Sequence, residues 1–282
     1  MLSNHLLHSH RYGGLAVDEL AGSGERPALV LLHGLSFDRS MWRPALRRLA
    51  TIDPDRRAIA IDLPGHGDSP DDDSYALAPV VERIRRAVLD ASIEAPVLVG
   101  HSASAATVAQ YAATYPTRGF IEVEGTFLVE PFVRLIQRLE PALRGDGFLA
   151  TWSQISNGAF RLDEAPADVR EFVYATSRPR REVVIGYWQD LLDHTPEDLA
   201  GWIDAGVARI RELGVPARSV LGRDPSPAEV DWIANHLPGL QTLVWPGSGH
   251  FPQLAHPDAF AELLDSTSSW ATKPDLETVA GA

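Results

Sequence analysis

The first candidate for chemistry is a serine set between an apolar run and a helix-forming run. Val97-Leu98-Val99 reads as a buried strand, Gly100-His101-Ser102-Ala103-Ser104 breaks it, and Ala105 to Tyr111 reads as a helix. A serine on such a sharp strand-to-helix turn is lifted clear of the sheet edge. It lies at a helix N-terminus, where backbone N–H groups can stabilise an oxyanion. The usual pattern is Gly-x-Ser-x-Gly; here Ser104 replaces the second glycine, and serine is small enough for the turn. A serine hydroxyl is a poor nucleophile at neutral pH and needs a base within hydrogen-bond reach. His250, in Gly247-Ser248-Gly249-His250-Phe251-Pro252, is the candidate base.

The elements that must position these residues alternate along the chain. Arg11–Tyr12 and Leu15–Glu19 read as a hairpin around Gly13-Gly14, preceded by a mobile tail over residues 1–10. Ala28 to Leu32 and Ala58 to Ile61 are continuous apolar runs, the mark of strands covered on both faces. The first ends in His33-Gly34-Leu35. Ser40 is placed as the cap of the helix that follows, through Trp42 to Leu49. The second run ends in Asp62-Leu63-Pro64-Gly65-His66-Gly67-Asp68-Ser69, a tight loop. Val80 to Ala91 is an amphipathic helix, and Gly119 to Glu124 is a further strand.

From about Gly125 to Leu213 the pattern is helical and charged, with Trp152, Phe160, Phe172, Tyr174, Tyr187, Trp188 and Trp202. Aromatic residues at such positions are more often the core of a helical cap than ligand contacts. Strand character returns at Arg218 to Gly222. Ser226-Pro227-Ala228-Glu229 is a capping box opening a helix. Leu240–Trp245 is the last strand, and a helix runs from about Pro257 to Trp270. Strands alternating with helices imply an α/β fold with a mostly parallel central sheet flanked by helices and an inserted helical cap. The expected division is a core of residues 1–125 and 214–272, a cap of residues 126–213, and a disordered tail of residues 273–282.

Composition narrows the function. The 282 residues are 45% hydrophobic, enough for one large core or a core with an inserted smaller domain. No apolar run approaches the roughly 20 residues of a membrane helix, and residues 1–12 lack the apolar stretch of a signal peptide. A net charge of −13 argues against nucleic acid and anionic membranes as partners. Without cysteine there is no disulfide framework, thiol nucleophile or thiolate metal site. His5, His8 and His10 could gather a metal in principle, but a tail lacks the outer contacts that fix such ligands. Asp71-Asp72-Asp73 reads as a solvated turn. A cytoplasmic protein acting on a small molecule, with no cofactor, is expected.

Four segments, His33-Gly34, Asp62 to Ser69, Gly100 to Ser104 and Gly249 to Pro252, together resemble the α/β-hydrolase fold family, over roughly residues 11–272. The resemblance implies a serine nucleophile, an acid and a histidine in that chain order. It also implies an oxyanion hole from the N–H groups of Leu35 and Ala103, and structural roles for His33, His66 and His101. Serine at position 102 argues against the haloalkane dehalogenase and epoxide hydrolase branches, which carry a carboxylate there. Two acids compete. Asp224 follows the penultimate strand in Gly222-Arg223-Asp224, one position early for the family pattern. Glu124 ends the strand after the nucleophile helix, where some branches carry the acid. Charged residues in a buried parallel strand need a reason; for Glu122 it is a place in a buried structural pair. Glu124 is slightly favoured, and the choice stays open. The activity implied is cleavage of an apolar carboxylic ester, thioester or lactone. C–C bond hydrolysis of the meta-cleavage-product type, a cofactor-free perhydrolase and a ligand-sensing receptor remain alternatives.

Overall fold

The computed structural model describes residues 7–23 and 25–270. Its strands are β1 (Leu7–Tyr12), β2 (Leu15–Leu20), β3 (Leu29–Leu32), β4 (Ala58–Ile61), β5 (Val97–His101), β6 (Gly119–Val123), β7 (Ala217–Leu221) and β8 (Gln241–Val244). They form one sheet in the order β1-β2-β4-β3-β5-β6-β7-β8. The β1–β2 and β2–β4 pairs are antiparallel and the other five are parallel. The apolar runs of β3, β4 and β5 are wholly buried because both faces are covered.

The helices are α1 (Arg43–Ile52), α2 (Leu77–Asp90), α3 (Ser104–Thr114), α4 (Glu130–Arg144), α5 (Phe148–Phe160), α6 (Ala167–Thr176), α7 (Arg181–Tyr187), α8 (Gln189–Asp193), α9 (Pro196–Glu212), α10 (Pro227–His236), α11 (Pro252–Ala255) and α12 (Pro257–Ser266). Alternation along the strands divides the core. Leu29, Leu31, Val97, Val99, Ile121 and Val123 pack with Trp42 and Phe260 on one face. Val30, Leu32, Leu98 and Phe120 pack with Val108, Tyr111, Val207 and Ile210 on the other. The second half of α9 thus lies on the sheet beside α3. A third cluster, Ile136, Leu143, Phe148, Trp152, Ile155, Val184, Ile185 and Trp188, closes over Leu35 at the end of β3. Trp152 and Trp188 stack within it, whereas Trp202 and Tyr174 are exposed.

Polar residues of β2 are buried with partners, as burial of charge demands. Asp18 accepts from Arg39, Arg43 and Ser9, and Glu19 from Arg57 and Tyr12. The hairpin at Gly13-Gly14 and the capping box at Ser226 form as the sequence implies. Two expectations change. Residues 7–10, expected within a mobile tail, are the start of β1, an exposed edge strand held by backbone pairing to β2. The cap expected at Ser40 is Asp38, whose carboxylate accepts from the Ser40 N–H at 2.8 Å and opens a 3-10 turn before α1. The tail expected over 273–282, and residues 1–6, lie outside the described residues.

β3 leads to β4 on one side, and its other neighbour is β5. The carboxyl ends of β3 and β5 therefore flank the point where strand order reverses, the crevice where ligands bind in open α/β sheets. The segments after these two strands are His33-Gly34-Leu35 and Ser102-Ala103.

Candidate active site

Ser102 follows β5 with φ +56°, a left-handed backbone that a residue with a Cβ adopts only under constraint. The constraint is visible. Its N–H donates to the Val123 carbonyl at 2.8 Å, and its carbonyl accepts from Ala105 N–H at 2.9 Å. Gly100 is required, since a Cβ there would run into the Ser104 carbonyl. Ser104, in place of the second glycine, is buried and donates its hydroxyl to the His33 carbonyl at 2.6 Å. The substitution thereby ties the Ser102 turn to the end of β3.

The Ser102 Oγ donates to His250 Nε2 at 2.9 Å, and His250 Nδ1 donates to Glu124 Oε2 at 3.0 Å. The carboxylate partner assigns the proton to Nδ1 and leaves Nε2 free to accept, the arrangement of a general base. Glu124 follows β6 and is itself left-handed, φ +56°. Its side chain is only 3% exposed. Burial pushes its carboxyl up, but the hydrogen bond from His250, the Gly222 N–H and the Arg161 guanidinium outweigh it, holding the group at about 2. Glu124 is therefore ionised at neutral pH.

The Leu35 and Ala103 N–H groups make no backbone hydrogen bond among the described residues. Leu35 is buried beneath the aromatic cluster, Ala103 is exposed, and Ser102 is half-buried. Three other histidines frame this corner, each pushed down by burial: His33 to about 4, His66 and His101 to about 3. All three are neutral. His33 Nδ1 donates to the Gly34 carbonyl and its Nε2 accepts from Leu63 N–H at 3.0 Å. His66 Nδ1 donates to the Pro64 carbonyl and its Nε2 accepts from Ser36 N–H at 3.2 Å, which holds Ser36 at φ +71° beside Leu35. His101 Nε2 donates to the His250 carbonyl at 2.8 Å. Each proton is committed to the backbone, as structural roles require.

Asp224 is exposed and stands outside this chain of bonds, next to the capping box of α10. The Nδ1 that it would have to reach is bonded to Glu124. Glu122, expected in a buried structural pair, has neutral partners: the Gly125 N–H at 2.6 Å and the Ser219 hydroxyl. Burial pushes it up to about 7. Two residues of the helical segment touch this site with no sequence signal that places them there. Phe160 stacks on His250, ring centroids 5.5 Å apart, and accepts the His250 N–H. Arg161 donates to Glu124 at 3.0 Å. Neither carries a motif or a periodic signal. Among the described residues, no group of three or more His, Asp or Glu is placed to hold a metal ion. His10 instead pairs with Glu19 at 2.8 Å, while His5 lies outside the described residues. No described helix is long and apolar enough to cross a membrane.

Comparison with known proteins agrees with this architecture. The chain is 31% identical over 265 residues to the pimeloyl-[acyl-carrier protein] methyl ester esterase of Xanthomonas campestris pv. campestris (strain B100), covering 86% of this chain and 94% of that one. It is 26% identical to a protein of Escherichia coli O26:H11 (strain 11368 / EHEC) with the provisional name carbamate hydrolase RutD, covering 85% and 90%. A loop variant of the haloalkane dehalogenase DbeA from Bradyrhizobium elkanii superposes with a TM-score of 0.70 at 20% identity, over 93% and 96% of the two chains, a likeness of fold. The model of the alpha/beta hydrolase family matches residues 29–263. With its mixed eight-stranded sheet, the chain is thus an α/β-hydrolase enzyme and belongs to the alpha/beta hydrolase family.

Proposed function

We propose that the protein is a serine hydrolase that cleaves a carboxylic ester or thioester of a small molecule through an acyl-enzyme on Ser102. The observation that carries this reading is the unbroken chain Ser102 Oγ to His250 to Glu124, at 2.9 and 3.0 Å. His250 Nε2 takes the Ser102 proton as Oγ bonds to the acyl carbon, and the carbonyl π electrons move to oxygen. That oxygen is held by the Leu35 and Ala103 N–H groups; one such donor is worth about 2.7–4 kcal/mol in the transition state. Collapse breaks the bond to the leaving alkoxide or thiolate, which receives the proton from His250. Water then gives its proton to His250 while attacking the acyl carbon, and Ser102 departs with that proton. Glu124 is the acid in this scheme, and Asp224 has no part in it.

The helices between residues 126 and 213 that do not lie on the sheet act as a cap; the second half of α9, whose Val207 and Ile210 pack on the sheet, belongs with the core. Leu35, whose N–H faces the developing charge, carries the apolar cluster of Trp152, Trp188 and Phe148 on its side chain. This supports an apolar acyl group on the substrate. The esterase named for the Xanthomonas relative supports ester cleavage. The provisional name of the Escherichia coli relative supports a second reading, a carbamate, which the same acyl transfer would serve.

Labelling with a fluorophosphonate, followed by peptide mass spectrometry, tests the proposal. The adduct is expected on Ser102 and absent from Ser102→Ala. Folded wild type that neither labels nor cleaves simple aryl esters would refute it and favour a ligand-sensing protein of the same fold.

A further inference from the structure

The end of α5 reaches into the site through four contacts. The His250 N–H donates to the Phe160 carbonyl at 2.9 Å, and the Phe160 ring lies over the imidazole with an interplanar angle of 19°. Arg161, left-handed at φ +43°, donates through Nη2 to Glu124 Oε2 at 3.0 Å and to the Gly249 carbonyl at 2.9 Å. The approach is close: a Cβ on Gly249 would lie 2.6 Å from the Arg161 carbonyl oxygen. A single guanidinium nitrogen therefore bridges the acid after β6 and the loop that carries the imidazole. This side chain belongs to neither, since α5 lies in the helical segment between β6 and β7.

We propose that Arg161 is a positioning residue of the site, a clamp from the helical segment that fixes the Glu124 carboxylate and the Gly249 carbonyl relative to one another. The bond from His250 Nδ1 to Glu124 is then correctly aimed only while the end of α5 is docked. For its catalytic consequence the proposal rests on the Ser102 reading above. Geometry is one part of the effect. The other is charge, because the guanidinium opposes addition of a proton to the Glu124–His250 pair. The remaining groups facing that pair are neutral or further off. Ser102 comes from the nucleophile turn, and neutral His101 from β5 has its ring centroid 5.1 Å from that of His250. Gly222 N–H comes from the end of β7. Glu122 on β6 and Arg223 after β7 act on Glu124 through space. Glu164 lies 3.6 Å from the Arg161 Nε.

The test compares wild type with Arg161→Gln and Arg161→Lys. It uses the pH profile of aryl-ester turnover and the low-field proton NMR signal of the Nδ1–H bond to Glu124. In Arg161→Gln, kcat is expected to fall about 10- to 100-fold with KM within about threefold, the scale of a small misplacement of reacting groups. The acidic limb of the profile moves to higher pH, and the low-field signal shifts. Arg161→Lys keeps the charge, but its shorter side chain does not carry a nitrogen to both oxygens, so the limb stays near wild type while kcat remains low. A folded Arg161→Gln with limb and signal both unmoved would overturn the clamp. If Arg161→Gln does not fold, Arg161→Lys with wild-type kcat and signal would do so. Wild type without labelling or turnover defeats the Ser102 reading, while the NMR signal still decides the clamp.

Discussion

Glu122 and Glu124 leave the same strand end two residues apart, and their carboxyl groups meet opposite environments. Glu122 points to the face of Gly100 and Ser219, its register partners on β5 and β7, and finds only a hydroxyl and an N–H. Glu124 turns through a left-handed backbone toward His250, Arg161 and the Gly222 N–H. Burial opposes ionisation in both. It wins at Glu122, held at about 7, and loses at Glu124, held at about 2. Burial alone does not make a charged acid; cationic and donor partners decide.

The largest effect follows from removing the charged member. Glu124→Gln presents a side-chain amide to His250 and favours the tautomer whose Nε2 carries the proton, which cannot take one from Ser102. Fluorophosphonate labelling is expected to slow by roughly 10³- to 10⁴-fold. Stability shifts too. A carboxylate with a depressed folded value stabilises the protein fully above its unfolded value of 4.5, and that stability is lost as pH falls through about 2. Glu124→Gln should therefore be less stable than wild type in chemical denaturation at pH 7, with the Arg161–Glu124 ion pair lost.

Glu122→Gln should do the reverse. Below the unfolded value of 4.5 Glu122 is protonated in both states and imposes no penalty. As pH rises from 4.5 through about 7 the unfolded chain ionises first, so folding loses stability and the loss is complete above that range. Gln keeps an oxygen for the Gly125 N–H. The variant is expected to gain on the order of 1–3 kcal/mol over wild type at pH 8 and nothing at pH 4. Equal denaturation midpoints at both pH values would break the contrast between the two glutamates.

Asp224→Asn should change least, with a labelling rate within about twofold of wild type. An exposed carboxylate beside a helix N-terminus contributes only tenths of a kcal/mol.

The elements that frame the site were legible because each apolar run ends in residues that terminate it. Val97-Leu98-Val99 before Gly100, and Leu29 to Leu32 before His33-Gly34, carry both the strand and its stop. Ser226 with Glu229 shows the start of α10 through a local, four-residue interaction. The edge strand β1 was obscured because both its faces are exposed, which removes the alternation that a half-buried strand shows. A 3-10 turn intervenes before α1 and moves the cap from Ser40 to Asp38. The surroundings of Glu124 were hidden for a different reason. Its neighbours come from positions 161, 222 and 250, joined only by topology and by two left-handed residues. Arg161 is one basic residue among 25 and looks like any solvated charge.

The most direct measurement is the rate of fluorophosphonate labelling at Ser102 in wild type, Glu124→Gln and Asp224→Asn, side by side at neutral pH with folding checked. Labelling that collapses in Glu124→Gln and persists in Asp224→Asn is expected. Persistence in folded Glu124→Gln with collapse in Asp224→Asn would contradict the assignment of Glu124 as the acid.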